Sequence, residues 1–325
     1  MITRRRALLF ATSVFAPALL TRTARAQAWP NRFVRLIVPY PAGGGADAIA
    51  RILGQRLTEN WGQQVLIENK GGAGGNIASD AAAKSPPDGY TMYLGAEFLT
   101  TNIHVYPKLS YDPIADLQPV SAVVQYPTIV ALPKDSPANT VADFIALAKS
   151  NPGRTFGTPG HGTGPHLAGE LFKRAAGIEL THVPYRGAAP GLNDLVGGRI
   201  DSFFNNIAPV VPLMNSGQVR GLAVTTARRS AAAPEVPTIA ESGLPGFDVP
   251  GWYAIFVPAR SPPDIVARMN TDIIAVLADP AVKGKLEALG LFVGGSTPEA
   301  LGNYVRTETD KWGPIIRAAG ITIKE

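Results

Sequence analysis

The residues best suited to do chemistry in this chain are its glycines. Two runs stand out, Gly43-Gly44-Gly45 and Gly160-His161-Gly162-Thr163-Gly164, about 115 residues apart. Each follows a strand-like segment and precedes a helix-like one. Glycine has no side chain, so its backbone N–H groups can approach a ligand closely. The first turn of a helix leaves N–H donors unpaired and carries partial positive charge. A carboxylate held there needs no Lys or Arg. One such loop is as readily a tight turn as a site. Two of them, in different lobes, predict a cleft gripped from both sides, where the carboxyl ends of α/β strands bind ligands.

Catalytic groups are sparse. There is no G-x-S-x-G elbow and no phosphate-binding P-loop. Gly72-Ala73-Gly74-Gly75-Asn76-Ile77 departs from the dinucleotide fingerprint at its last position. The spacing of His161 and His166 does not match a zinc-binding helix, so the expectation is no metal and no cofactor. His161 is read as a pocket contact. For His166, packing on the helix start and ligand contact stay open, and His104 and His182 are read as ordinary surface or half-buried residues. A hydrolase or isomerase reading would rest on Glu97, His161 and Thr163 alone. Arg186 is either a surface residue or the partner of a second ligand carboxylate. Among the tryptophans, Trp252 has the best claim to a cleft or hinge role.

The elements that must position these residues alternate. Phe33–Val38 reads as a strand, with a helix from near Asp47 carrying Ile49, Ile52, Leu53 and Leu57 on one stripe. Val65–Ile67 and Thr91–Leu94 are further strands, with a short helix from Asn76 to Ala83 between them. This order implies a mostly parallel sheet with helices on both faces. A second set follows, with strands at Val120–Val124, Thr128–Leu132, Arg154–Thr158, Leu180–Val183, Ile200–Phe204, Arg220–Thr225 and Tyr253–Val257. Thr140 to Asp143 reads as a reciprocal helix cap, and Pro165–Ala176 as a helix. Two more helices open at Ser261-Pro262-Pro263-Asp264 and Thr297-Pro298-Glu299, the latter running to about Ala319.

The N-terminus has the layout of an export signal: Arg4-Arg5-Arg6, an apolar run from Ala7 to Leu20, then A-x-A sites ending at Ala26 and Ala28. The Sec and Tat routes both fit. Residues 1–28 are therefore expected to be removed, leaving a soluble periplasmic chain. The chain holds 30 Lys+Arg against 25 Asp+Glu, and five arginines and no acid fall in that leader, so its loss leaves 25 against 25. That balance argues against a nucleic-acid or anionic-membrane partner. With no Cys, disulfides, thiolate metal sites and Cys nucleophiles are excluded.

An ordered series of segments resembles one family. Val38-Pro39-Tyr40-Pro41-Ala42-Gly43-Gly44-Gly45-Ala46-Asp47 is followed by Glu68–Asn76, Pro87–Thr91, Gly160–Thr163 with His166, Val183-Pro184-Tyr185-Arg186-Gly187, Leu222–Thr225 and Val236–Glu241. The set resembles the Bug receptors of tripartite tricarboxylate transporters over essentially the whole mature chain. The resemblance implies a two-lobed type II periplasmic-binding-protein α/β fold with an interlobe cleft. Lobe one would comprise 29–127 plus 253–325, and lobe two 128–252. It implies a monomer that captures a small organic acid and docks on a membrane permease or a sensor protein.

The ligand would meet Tyr40, Ala42, Gly43, Gly44, Gly45, Ala46 and Asp47 on one side. Thr158, Gly160, His161, Gly162, Thr163 and His166 would face them, with Tyr185 and Asn205. Within that set, residues 43–46 would supply N–H donors, Thr163 a hydroxyl, and Tyr40 a wall. Capping of its own helix is the preferred role for Asp47. Asn205 would stand where many relatives are acidic, which disfavours ligands needing a cation partner there.

Overall fold

The structure is a computed structural model that describes residues 29–322; the expected export signal lies outside the described residues. The first half alternates strand and helix: β1 (Val34–Val38), α1 (Gly45–Trp61), β2 (Val65–Asn69), α2 (Asn76–Ala83), β3 (Thr91–Ala96) and α3 (Phe98–Val105). A long strand β4 (Leu117–Pro133) leads into α4 (Val141–Ser150), β5 (Thr155–Thr158), α5 (Gly164–Ala176), β6 (Thr181–Pro184), α6 (Ala188–Val196), β7 (Ser202–Asn206), α7 (Val211–Asn215) and β8 (Val219–Val224). Then follow β9 (Pro250–Pro258), α8 (Pro263–Ala278), α9 (Pro280–Ala288), β10 (Phe292–Val293) and α10 (Pro298–Ala319).

Sheet order is β2-β1-β3-β9-β4-β7-β5-β6, with β8 and β10 also on β4. β1, β2 and β3 are parallel, as are β5, β6 and β7. The expectation of a mostly parallel sheet needs correction in the middle. β9 runs antiparallel to both β3 and β4, and β4 antiparallel to β7 and β8. The two strands expected at Val120–Val124 and Thr128–Leu132 are one strand. Its first part pairs with β9 as far as Pro127↔Pro250, and its second part, from Thr128, pairs with β7 and β8. β4 thus passes from one half-sheet to the other. Prolines cannot donate to a ladder, and here Pro127 and Pro250 face each other where the pairing changes.

Apolar side chains form separate cores around the two halves. One gathers Val34, Leu36, Ile49, Leu53, Met92, Phe256 and Met269. Another gathers Phe144, Phe156, Leu167, Phe172 and Phe204, and takes Trp312 and Ile316 from the end of α10. A third, on the opposite face of β4, holds Ile129, Leu195, Phe203 and Val224.

The helix starts follow their sequence chemistry. Gly44 is the N-cap of α1, and Gly62 ends that helix in the left-handed conformation at φ 63°. The Thr140–Asp143 capping box forms at α4. Pro263 and Pro298 stand at the first helical positions of α8 and α10.

Candidate functional site

The β1–α1 loop is shaped by Gly43, whose φ of 88° is a left-handed conformation open to glycine at little strain. Its N–H donates to Asp47 Oδ2 at 3.0 Å, and the same oxygen accepts from Arg51 Nε at 2.9 Å. Burial acts to raise the Asp47 pKa, but the hydrogen bonds from Arg51 and Gly43 outweigh it and hold the carboxyl below its usual range. Asp47 therefore braces the loop from inside, and Gly43 is turned to that brace. The N–H groups of Gly44, Gly45 and Ala46 find no acceptor among the described residues. The helix start presents them as a donor cluster.

These residues line a small cavity of about 60 Å³, together with Tyr40, Pro41, Ala42, Tyr126, Arg186, Gly187, Ala188, Asn205, Asn206 and Tyr253. Its chemistry is one-sided. Among the described residues, no Asp or Glu lines it, and Arg186 is the one charged residue in its wall. The Nδ2 atoms of Asn205 and Asn206 are buried there without a hydrogen-bond partner among the described residues. Asn206 Oδ1 accepts from Ala208 N at 2.9 Å, which fixes the amide with its N–H₂ as the unspent end. A Cβ built on Gly45 would stand 3.0 Å from Asn206 Nδ2, so this amide closes directly over the start of α1. Unpaired buried donors carry a desolvation penalty of about 1–3 kcal/mol each, which an anionic acceptor relieves.

The opposite wall holds more than the sequence expectation. The start of α6, at Gly187, Ala188 and Ala189, lines this cavity with α1, and the expected start of α5 reaches it through Pro165, with Pro159 from the preceding loop. Gly187, at φ 115°, donates to Pro159 O at 3.0 Å and packs near Pro41. The start of α5 already has a carboxyl group: Glu97, from the end of β3, accepts from Gly164 N at 2.8 Å through Oε1 and from Tyr126 OH at 3.0 Å through Oε2. Burial raises the Glu97 pKa despite these bonds. Glu97 is thus a strut between the halves of the molecule.

The remaining expected residues lie next door. Gly160, His161, Thr163 and Tyr185 line a second cavity of about 390 Å³, which shares Tyr40, Pro41, Pro159, Arg186 and Gly187 with the first. Within their loop they are largely engaged with one another. Thr163 Oγ1 donates to Gly160 O at 2.8 Å, Thr158 Oγ1 accepts from Gly160 N at 3.3 Å, and Gly162 N donates to His166 Nδ1 at 3.1 Å. His166 is buried against Phe156 and His182, which favours packing over ligand contact. Trp252 is buried on β9 and lines a separate hollow with Tyr304 and Phe292, away from Tyr40 and Gly45.

Sequence reasoning missed Gly187–Ala189 and Asn206. A signal existed for the former, since small residues follow Tyr185-Arg186-Gly187 just before a helix.

Comparison with known proteins decides the family. The profile of the tripartite tricarboxylate transporter family receptor matches residues 49–321. The chain belongs to this family. BugT of Bordetella pertussis is 33% identical over 312 residues, covering 95% of this chain and 96% of BugT. A protein encoded in the tcbD–tcbE intergenic region of Pseudomonas sp. strain P51 is 39% identical over 298 residues, 91% of this chain and 89% of its own length. Among solved structures, R. palustris Rpa4515 with adipate superposes with a TM-score of 0.87 at 38% identity, covering 91% of this chain and all of that one. MatC from Rhodopseudomonas palustris with bound malate gives 0.83 at 30% identity, covering 88% and 99%. The two-lobed α/β fold and the role of periplasmic solute-binding receptor follow from this membership.

Proposed function

We propose that this receptor captures a small organic acid, with one carboxylate seated on the N–H groups of Gly44, Gly45 and Ala46 and closed over by Asn205 and Asn206. The observation that carries this reading is the one-sided wall: several unspent donors, an arginine at the rim, and no carboxylate. A helix start and buried amides bind an anion through preorganised dipoles. Relatives of solved structure that hold adipate and malate support the same class. Arg186 reaches the junction of the two cavities and would pair with a second carboxylate or polar end of the ligand.

Closure would proceed between lobe one, 29–127 plus 253–325, and lobe two, 128–252, with β4 and β9 as the crossing segments. The ligand would stabilise the closed arrangement by holding Asn205, Asn206 and Gly187 against the start of α1. The exported protein would act as a monomer after removal of residues 1–28, and hand its cargo to a membrane permease or signal its presence to a sensor. A thermal-shift panel of mono-, di- and tricarboxylates tests the reading. At least one acid raises the melting temperature in a saturable way; a panel in which amines or neutral sugars stabilise the protein and no acid does would overturn it.

A further inference from the structure

We propose that His161, His166 and His182 form a binding site for one divalent transition-metal ion that favours imidazole, such as Zn²⁺, Ni²⁺ or Cu²⁺, beside the ligand cleft. The chain has four histidines, and three of them meet here. Their candidate ligand nitrogens all lie within 4.8 Å of one another. His161 and His166 come from the β5–α5 segment, whereas His182 arrives on β6, which pairs with β5 at Phe156↔His182. The rings of His166 and His182 are stacked at 4.0 Å, and His161 stands edge-on to both at 5.5 Å and 4.8 Å.

One feature suits ligation better than plain packing. His182 Nδ1 is buried with no hydrogen-bond partner among the described residues. Its other nitrogen, Nε2, lies 2.7 Å from Thr158 Oγ1, and that hydroxyl donates onward to Gly160 O at 3.2 Å. With the hydroxyl proton directed to Gly160 O, Nε2 carries the ring proton and Nδ1 presents a bare lone pair. A ligating histidine characteristically has this arrangement, with its second nitrogen bonded to an oxygen that fixes the tautomer.

Ligation demands movement. With Zn–N bonds of about 2.0–2.1 Å, tetrahedral nitrogens sit roughly 3.4 Å apart, so the cluster must contract. The stacked rings of His166 and His182 must fan apart, and the exposed His161 ring is free to swing in. His166 Nδ1 now accepts from Gly162 N, so capture of an ion by either nitrogen of that ring releases the Gly162 amide. Glu170 Oε1, 4.0 Å from His166 Nε2, is the nearby carboxylate, and Lys173 holds it at 2.9 Å through its other oxygen. Metal binding is therefore coupled to the Gly160–Gly164 loop.

The test is titration of the untagged exported chain with Zn²⁺ and Ni²⁺ by calorimetry and chelator competition, with no organic acid present. One site per chain is expected. His161→Ala, which removes an exposed ring, and His182→Gln should each weaken it about tenfold or more, while His104→Ala leaves it unchanged. The Gly162 amide resonance should shift on metal addition, and Co²⁺ in place of Zn²⁺ should show the ligand-field absorption of a nitrogen-rich site. Absence of saturable uptake, or uptake that His161→Ala leaves within about threefold of the parent, would overturn the proposal.

Discussion

Asn206→Asp is the substitution that most sharply separates an anion site from any other pocket. The side chain keeps its size. Its Oδ1 acceptor for Ala208 N, now at 2.9 Å, is preserved, so the local turn should survive. The unpartnered Nδ2 donor becomes an anionic oxygen beside Gly45. Two unit charges about 4 Å apart at an effective dielectric of about 20 repel by about 4 kcal/mol. Loss of a hydrogen bond to a charged acceptor adds about 1.5–3 kcal/mol. The repulsion alone corresponds to roughly a thousandfold loss of affinity for an acid. The fold should be retained, because the N–H groups of Gly44–Ala46 would receive the new carboxylate much as Gly164 N receives Glu97. The assay is calorimetric titration with whichever acid stabilises the parent protein, alongside thermal melts without ligand. Binding within about tenfold of the parent, by a variant whose melting is intact, would refute the placement of the anion.

Three further outcomes follow from the same geometry. Gly45→Ala places a methyl 3.0 Å from Asn206 Nδ2 and should weaken acid binding about tenfold or more by crowding the donors, with little change in unliganded melting; calorimetry and thermal melts read the two effects separately. Arg186→Ala should reduce affinity for a dicarboxylate by about 1–3 kcal/mol and for its monocarboxylate analogue far less, as read by paired titrations. Glu97, raised above its usual pKa by burial, binds its proton more readily in the folded state; its contribution to stability is therefore present at low pH and lost as pH rises through its folded value. Glu97→Gln should flatten that fall, so the melting difference between parent and variant changes as pH rises above the ordinary glutamate range, measured by thermal melts across pH.

Much of the scaffold was legible because its signals are local. The helix from Asn76 to Ala83 and the one opening at Pro298 and ending at Ala319 stand where caps and periodicity put them. The β1–α1 loop was legible as a donor cluster for the same reason, since glycines followed by a helix define it. The missing parts all depend on distant residues. Gln125-Tyr126-Pro127 reads as a break between two strands, yet β9 and then β7 and β8 pair the segment into one, a tertiary override of local propensity. The start of α5 looked identical in kind to that of α1, but Glu97, 67 residues earlier in the chain, caps it. No spacing rule reports that. His182 read as an ordinary residue because sequence does not reveal which strand β5 will take as its edge partner. The β7 residue Asn206 followed Asn205 unnoticed, although both amides are buried at the cavity.

A crystal structure of the exported protein with its stabilising acid bound is the most direct measurement. Carboxylate oxygens within hydrogen-bonding distance of the Gly44, Gly45 and Ala46 nitrogens, and of Asn205 or Asn206 Nδ2, are the predicted result. An acid seated instead against His161 and Thr163, with the start of α1 bare, would contradict the account.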